Sequence, residues 1–437
     1  MTDELTRDAL LAAYERSGRP RDQWLVGAEF ERHLLHRGTG APLPYEGEHG
    51  VRWLLEQLEA RGHGTIVREG EYPIALQRKT SSVTLEPGGQ FELSGSAGGA
   101  LHSIMGEARH FSEEVAELLD ESGVEQIAIG YTPYAKVEDI PWVPKGRYRV
   151  MREHLGRTGA LAHDMKKATA AVQATYDYAD EADCARKVRL ASRLAPLVTA
   201  MFANSPYRHG KASGYMSFRG HVWTQTDPAR TGLPEAAERF SYEAWLDYLV
   251  DVPMIFKKDE AGDWQPAHGA TFRDWMVSTT ERRPTWKDWE LHLTSVFPEV
   301  RVKHTIEVRG ADCVPLPLAM SFVSLFKGLF YCEIALVGAT ELSERFAAEG
   351  DRMARFDVAC REGLRGTVSG RPLVSWAEEL LDLADAALQR CAPEDRPWLR
   401  PLIRQVESGM SPARRLLERL GPEPAVGDLL AATHVLG

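Results

Sequence analysis

The chain has 437 residues, 43% hydrophobic and 26% charged, and its 63 acidic against 52 basic side chains give a net charge of −11. That balance argues against nucleic acid as a partner, because phosphate contacts need clustered Lys and Arg; a single polyphosphate such as ATP needs only a few placed cations. The five cysteines (Cys184, Cys313, Cys332, Cys360 and Cys391) are odd in number, widely spaced and without a CxxC pair, so they read as buried, reduced thiols of a cytoplasmic protein, neither a disulfide framework nor a zinc site.

In chain order, MTDELTRDALLAAYERSGRP has early acids and no long apolar core, which predicts a helix over 2–18 and no signal peptide. Helices follow at about 50–61 and 101–121, each with an apolar stripe. Between the helices lie segments of alternating polarity. In VGAEFERHLL (26–35), Glu29, Glu31 and His33 share one parity and Val26, Ala28 and Phe30 the other. In SSVTLEPGGQFELSG (81–95), Glu86 and Glu92 flank a Pro-Gly-Gly break. In AAVQATYDY (170–178), Gln173, Thr175 and Asp177 oppose Val172, Ala174 and Tyr176. GYMSFRGHVW (214–223) sets Ser217, Arg219 and His221 against Met216, Phe218 and Val222. RVKHTIEVRG (301–310) sets Lys303, Thr305, Glu307 and Arg309 against Val302, Ile306 and Val308. The apolar run from Val314 to Val337 contains Pro315, Pro317, Lys327 and Glu333, so it reads as a buried helix and no membrane partner is expected. Helical pattern continues to the C-terminus.

Side chains along a strand point alternately to opposite faces. Five such segments predict an α+β fold: a mostly antiparallel sheet with helices on its apolar face. Residues 1–437 read as one catalytic domain, with 315–437 a mainly helical region packed on it. The polar faces then make one surface rich in Glu, with Arg and Lys among the acids.

Glu has poor strand propensity, so its recurrence at strand centres asks for a reason. Several carboxylates on one face repel unless cations neutralise them. An all-oxygen donor set suits Mg²⁺, with Mn²⁺ as the alternative, over zinc. Carboxylates for metal and arginines for phosphate on one sheet point to phosphoryl transfer. The GxxxxGK[ST] loop, a GxGxxG after a strand, HExxH and GxSxG are all missing. A nucleotide must then bind through the sheet's metals and cations.

The stretches GAEFERH, SVTLEPGGQFELSG, IGYTPY, PKGRYRVMREHL, MFANSPYRHGKASGYMSFRGHVWTQTDPARTG and DWELHLTSVFPEVRVKHTIEVRGADC resemble the plant-type branch of the glutamate–cysteine ligases, which bacteria share. The resemblance implies a curved, funnel-like antiparallel sheet whose concave polar face takes glutamate, cysteine, ATP and two or three Mg²⁺. It places Glu29, Glu31, Glu86, Glu92 and Glu307 near metal. Gln173 falls where related ligases keep a residue near metal or nucleotide, and Lys303 is expected beside the nucleotide. Arg219 and Arg309 match arginines expected on the glutamate carboxylates or the transferred phosphoryl group. Thr175 stands where an Asn is usual, and no cysteine pair matches the regulatory disulfide of the plant enzymes.

The implied reaction phosphorylates the γ-carboxylate with ATP, and the cysteine amine then displaces phosphate. The product is γ-glutamylcysteine, for glutathione-type thiol synthesis. The general base stays open between an active-site carboxylate and a phosphate oxygen. The alternative reading is a related ligase that joins glutamate to another amine.

Overall fold

The computed structural model describes residues 5–437. The start of the expected first helix lies outside the described residues; α1 runs Arg7–Ser17, with Thr6 Oγ1 accepting from the Ala9 amide at 3.1 Å as N-cap. A nine-stranded sheet dominates the first three-quarters of the chain: β1 (Val26–His36), β2 (Thr65–Glu69), β3 (Tyr72–Gln77), β4 (Ser82–Leu85), β5 (Phe91–Ser94), β6 (Val124–Ile127), β7 (Ala171–Tyr176), β8 (Val300–Val302) and β9 (Ile306–Asp312). Its order is β8-β9-β7-β1-β5-β4-β3-β2, with β6 pairing the far end of β1. Every pairing in it is antiparallel.

Helices pack around the sheet. These are α2 (Val51–Ala60), α3 (Leu101–Leu119), α4 (Gly146–Leu155), α5 (Ala162–Ala168), α6 (Glu181–Phe202), α7 (Phe218–Thr224), α8 (Leu316–Tyr331), α9 (Glu333–Ala347) and α10 (Leu373–Cys391); of them α3, α6 and α8 lie on the sheet's apolar side. Phe91 of β5 stacks on Phe111 of α3 at 5.9 Å, and Tyr176 of β7 packs on Phe326 and Phe330 of α8. The Tyr176 hydroxyl donates to the Val323 carbonyl at 2.9 Å, which satisfies its polar end inside the apolar layer. One continuous hydrophobic core runs from β1 through α8 to α10.

Four expectations need correction. The segment 214–223 is no strand: Ser217 caps α7, accepting from the Gly220 amide at 2.9 Å. Phe218 and Val222 fit a helical i, i+4 stripe as well as an alternation, and the cap decides. The segment 301–310 is a hairpin of β8 and β9, with Val302 opposite Ile306; Lys303 therefore sits in its turn and not on a continuous polar row. The apolar run 314–337 is two helices, α8 and α9, meeting at 102°, and no single helix among the described residues is long and apolar enough to cross a membrane. Among the cysteines, Cys391 is exposed, contrary to expectation, and the other four are buried.

Candidate active site

Antiparallel register turns the sequence alternation into rows of side chains. Thr84, Glu92 and Glu31 form one row across β4, β5 and β1. Ser94, Glu29 and Gln173 form the next across β5, β1 and β7. Thr175, Glu307 and Arg301 form a third across β7, β9 and β8. The first two rows, with Arg301 of the third, floor a void that, mouth included, measures about 1100 Å³. Glu29, Glu31, Glu86, Glu92, Gln173, Arg219 and Arg309 all line it.

The Pro87-Gly88-Gly89 turn between β4 and β5 sets Glu86 at the rim. Gly89 has φ +85°, which favours glycine, and a Cβ on Gly88 would lie 2.1 Å from the Lys167 carbonyl oxygen. Gln90 completes the clasp: its Oε1 accepts from the Gly88 amide at 2.9 Å, and its Nε2 donates to the Thr169 carbonyl at 2.7 Å. The EPGGQ string thus fastens the acidic rim to the α5–β7 link.

The acids lie at close quarters. Glu31 Oε2 accepts from the Ala171 amide at 2.7 Å and its Oε1 from Gln173 Nε2 at 2.9 Å. Burial, then repulsion from Glu86, pushes Glu31 up to about 7, against the pull of Arg219 and Arg309. Burial and the neighbouring glutamates drive Glu92 well above the usual carboxylate range, and burial with Glu307 raises Glu29. Glu307 is held the other way: Arg301 grips it bidentately at 2.9 Å on both oxygens, Arg309 also donates to it, and these cations depress it despite its burial. Its carboxylate does not line the cavity. Nor does Lys303, whose Nζ is 3.9 Å from Glu307.

Two arginines face the acids. A register shift in β9 between Val308 and Ala311 sets Arg309 apart from the regular pairing with β7. Its guanidinium donates to Gln173 Oε1 and to Glu307. Arg219, at the start of α7, is 3% exposed. Its backbone amide donates to Ser205 Oγ at 3.0 Å and its guanidinium to the Arg309 carbonyl at 2.9 Å, while its Nε has no acceptor among the described residues. Buried Asp312 takes both Ser205 Oγ (2.6 Å) and Ser217 Oγ (2.8 Å), so it fixes the loop that carries Arg219.

Sequence reading missed the opposite wall, made by Lys145, Arg147, Tyr148, Lys166, Trp223, Phe256 and Phe297, and on the sheet side it missed Arg301. Lys145 and the Tyr148 hydroxyl both donate to the Leu85 carbonyl at 2.8 Å, which seats α4 over the acidic rim. Arg301 shares the parity of Lys303 and was legible there. The others come from helices, loops and two- or three-residue strands (Phe256–Lys258 and Phe297–Pro298) that leave no periodic signal at the site.

Among the described residues no three carboxylates, imidazoles or thiols converge into a ready-made metal cage. The donor chemistry nevertheless fits Mg²⁺: the set is all oxygen, and Glu29, Glu31 and Glu92 are raised above the usual carboxylate range by burial and by one another's and neighbouring carboxylates, a repulsion that a dication relieves. Mg²⁺ commonly takes one or two carboxylates and completes its shell with water and substrate phosphates.

Residues 25–434 match the family model described as glutamate-cysteine ligase family 2. A chloroplastic glutamate–cysteine ligase of Medicago truncatula is 35% identical over 425 residues, 95% of this chain and 82% of that protein. The chloroplastic enzyme of Arabidopsis thaliana is 35% identical over 430 residues, covering 97% and 81%. The cytoplasmic location expected from the cysteines is overturned by these relatives, which are chloroplastic. Among solved structures, a glutamate–cysteine ligase of Francisella tularensis in complex with AMP superposes with a TM-score of 0.57 at 13% identity, over 94% of this chain and 87% of that one. That likeness speaks for the fold.

Proposed function

The chain belongs to glutamate–cysteine ligase family 2, and from that premise we propose that it joins the γ-carboxylate of glutamate to the amine of cysteine at the expense of ATP. The observation that carries the reading is a single cavity floored by four glutamates and faced by Arg219 and Arg309. Such a cavity holds a polyphosphate through metal on one side and guanidinium groups on the other.

A carboxylate does not react with an amine unaided, because its oxide is a very poor leaving group. Transfer of a phosphoryl group to the γ-carboxylate solves this, and the amine then displaces phosphate. Glu29, Glu31, Glu86 and Glu92 would hold Mg²⁺, which when bound neutralises charge on the phosphates. Arg309 and Arg219, both on the cavity lining, would stabilise phosphoryl oxygens and the tetrahedral intermediate. Glu307, expected among the metal ligands, is committed to Arg301 and Arg309, and this geometry favours a role in orienting those guanidinium groups. Gln173 fixes Glu31 and Arg309 relative to each other.

Incubation with ATP, Mg²⁺, cysteine and glutamate labelled with ¹⁸O at the γ-carboxylate should give γ-glutamylcysteine by mass spectrometry and move one label into inorganic phosphate. Label in AMP would replace the acyl phosphate with an adenylate, and absence of any γ-glutamyl product would remove the assignment.

A further inference from the structure

Resting on the ligase reading, one requirement is left: the acceptor amine arrives as an ammonium ion and must lose a proton to attack. We propose that Lys166 takes that proton: its Nζ lies on the cavity wall 4.1 Å from the centre of the Phe297 ring and makes no hydrogen bond or ion pair among the described residues.

The other titratable groups of the cavity are committed. Glu29, Glu31, Glu86 and Glu92 are the metal-side acids. Lys145 donates to the Leu85 carbonyl, and so does the Tyr148 hydroxyl. Arginines do not give up a proton in proteins. Lys167, the next residue, points the other way, onto the Val137 and Ile140 carbonyls. Lys166 alone among the lysines and acids on this wall is both uncommitted and outside the acidic floor.

Its place is fixed and its surroundings suit the task. Gln90 Nε2 approaches the Lys166 carbonyl at 3.3 Å, and Gly88 packs on the backbone of Lys167, so α5 is pinned to the β4–β5 turn. Four charges face it: Glu86 from that turn and Glu31 from β1 favour its protonated form, while Arg147 from α4 and Arg309 from β9 disfavour it. Burial outweighs them all and lowers its pKa to about 8, so a useful fraction is neutral near neutral pH. Phe297, Trp223, Phe256 and Met165 make the neighbouring wall, against which a small apolar side chain packs.

In the step itself the Nζ lone pair receives the proton from the acceptor nitrogen. The nitrogen pair forms the C–N bond, the bond from the acyl carbon to the phosphate oxygen breaks, and the departing phosphate takes those electrons together with the second proton of the nitrogen, which leaves a neutral amide and hydrogen phosphate. The Lys166 ammonium returns its proton to solvent after product release.

Two variants of the full chain test this, Lys166→Arg, which keeps the charge but cannot lose a proton, and Lys166→Met. Both should lower kcat/KM for cysteine by about 100-fold or more, and both should flatten the rise of that constant with pH. With hydroxylamine, whose nitrogen is already unprotonated at neutral pH, both should form γ-glutamyl hydroxamate within a few-fold of wild type. Recovery of cysteine coupling in Lys166→Arg would show that only the positive charge matters and overturn the proposal. So would loss of hydroxamate along with cysteine coupling, which would place Lys166 on the glutamate and ATP half. A wild-type protein that makes neither product fails at the ligase reading itself.

Discussion

Gln173 faces Glu31 across neighbouring strands and gives it an amide hydrogen at 2.9 Å, while its own oxygen takes one from Arg309. One neutral side chain thus orients a carboxylate of the acidic floor and a guanidinium of the phosphate side together. Hydrogen bonds to charged groups are worth about 1.5–3 kcal/mol. Gln173→Leu should therefore lower kcat roughly 10- to 100-fold. Gln173→Glu keeps the acceptor for Arg309 but turns a donor toward Glu31 into a like charge, and should raise the Mg²⁺ concentration needed for half-maximal rate. Steady-state kinetics across a Mg²⁺ titration measures both, and wild-type behaviour in both variants would strip Gln173 of this role.

Glu86 and Glu307 should fail in different ways. The Glu86 carboxylate is half-buried on the cavity rim and makes no hydrogen bond among the described residues. Glu86→Gln should cost roughly 100-fold in kcat with little change in stability. Glu307 lies in a buried ion pair with Arg301, and breaking such a pair leaves an uncompensated charge, at about 3–5 kcal/mol. Glu307→Gln should therefore lower the denaturation midpoint as well as activity. Chemical unfolding beside kinetics separates the two, and equal stability of both variants would contradict the ion-pair account.

Strand parity made much of this site legible. Glu29, Glu31, Glu92, Gln173 and Arg309 alternate with apolar residues, and burial of that apolar set fixes which way the acids point. Arg219 was placed on a strand, yet it reaches the cavity from the first turn of a helix, because MSFRGHV satisfies both periods and only the Ser217 cap tells them apart. Lys303 shared the parity of Glu307 on paper, but the turn between Val302 and Ile306 takes it away from the cavity lining. Lys145, Arg147 and Lys166 were invisible for a different reason. They enter from α4 and α5, and which side of a short helix faces a sheet depends on long-range contacts such as Gln90 to Thr169.

His292 offers a pH-dependent check on the core. Its Nε2 donates to the Leu249 carbonyl at 2.8 Å, and its Nδ1 is buried without a partner. Burial pushes its pKa down to about 4 from an ordinary 6.5. Above pH 6.5 neither folded nor unfolded chain protonates this ring, and its contribution is complete. Between 6.5 and 4 the unfolded chain takes a proton that the folded chain refuses, so stability falls as pH falls, by about 1.4 kcal/mol per unit. The acidic floor, whose carboxylates are raised, has the opposite slope, so the comparison must be differential. His292→Gln retains a donor for Leu249 and removes the titration. The unfolding free energy of wild type minus that of the variant should drop between pH 6.5 and 4; parallel curves would show that His292 does not titrate as its surroundings require.

Acceptor choice should follow from the wall beside Lys166. Phe256, Phe297, Trp223 and Met165 offer an apolar surface, and such a surface discriminates weakly by size, since one methylene is worth about 1–3 kcal/mol. Cysteine should therefore lead in kcat/KM, with 2-aminobutyrate second, because a methyl group replaces the thiol at similar volume. Alanine, one group shorter, should fall about 10- to 200-fold behind. A diamine such as putrescine brings a second cation toward a wall that already holds Lys166 and Arg147. No carboxylate of this wall pairs with that charge, so burying it costs several kcal/mol and the diamine should be rejected most strongly. The measurement is kcat/KM for the four amines at saturating glutamate and MgATP. If putrescine outpaces cysteine, the carboxylate-activating half of the site stands, and the acceptor is another amine, recognised by acids that this wall does not present.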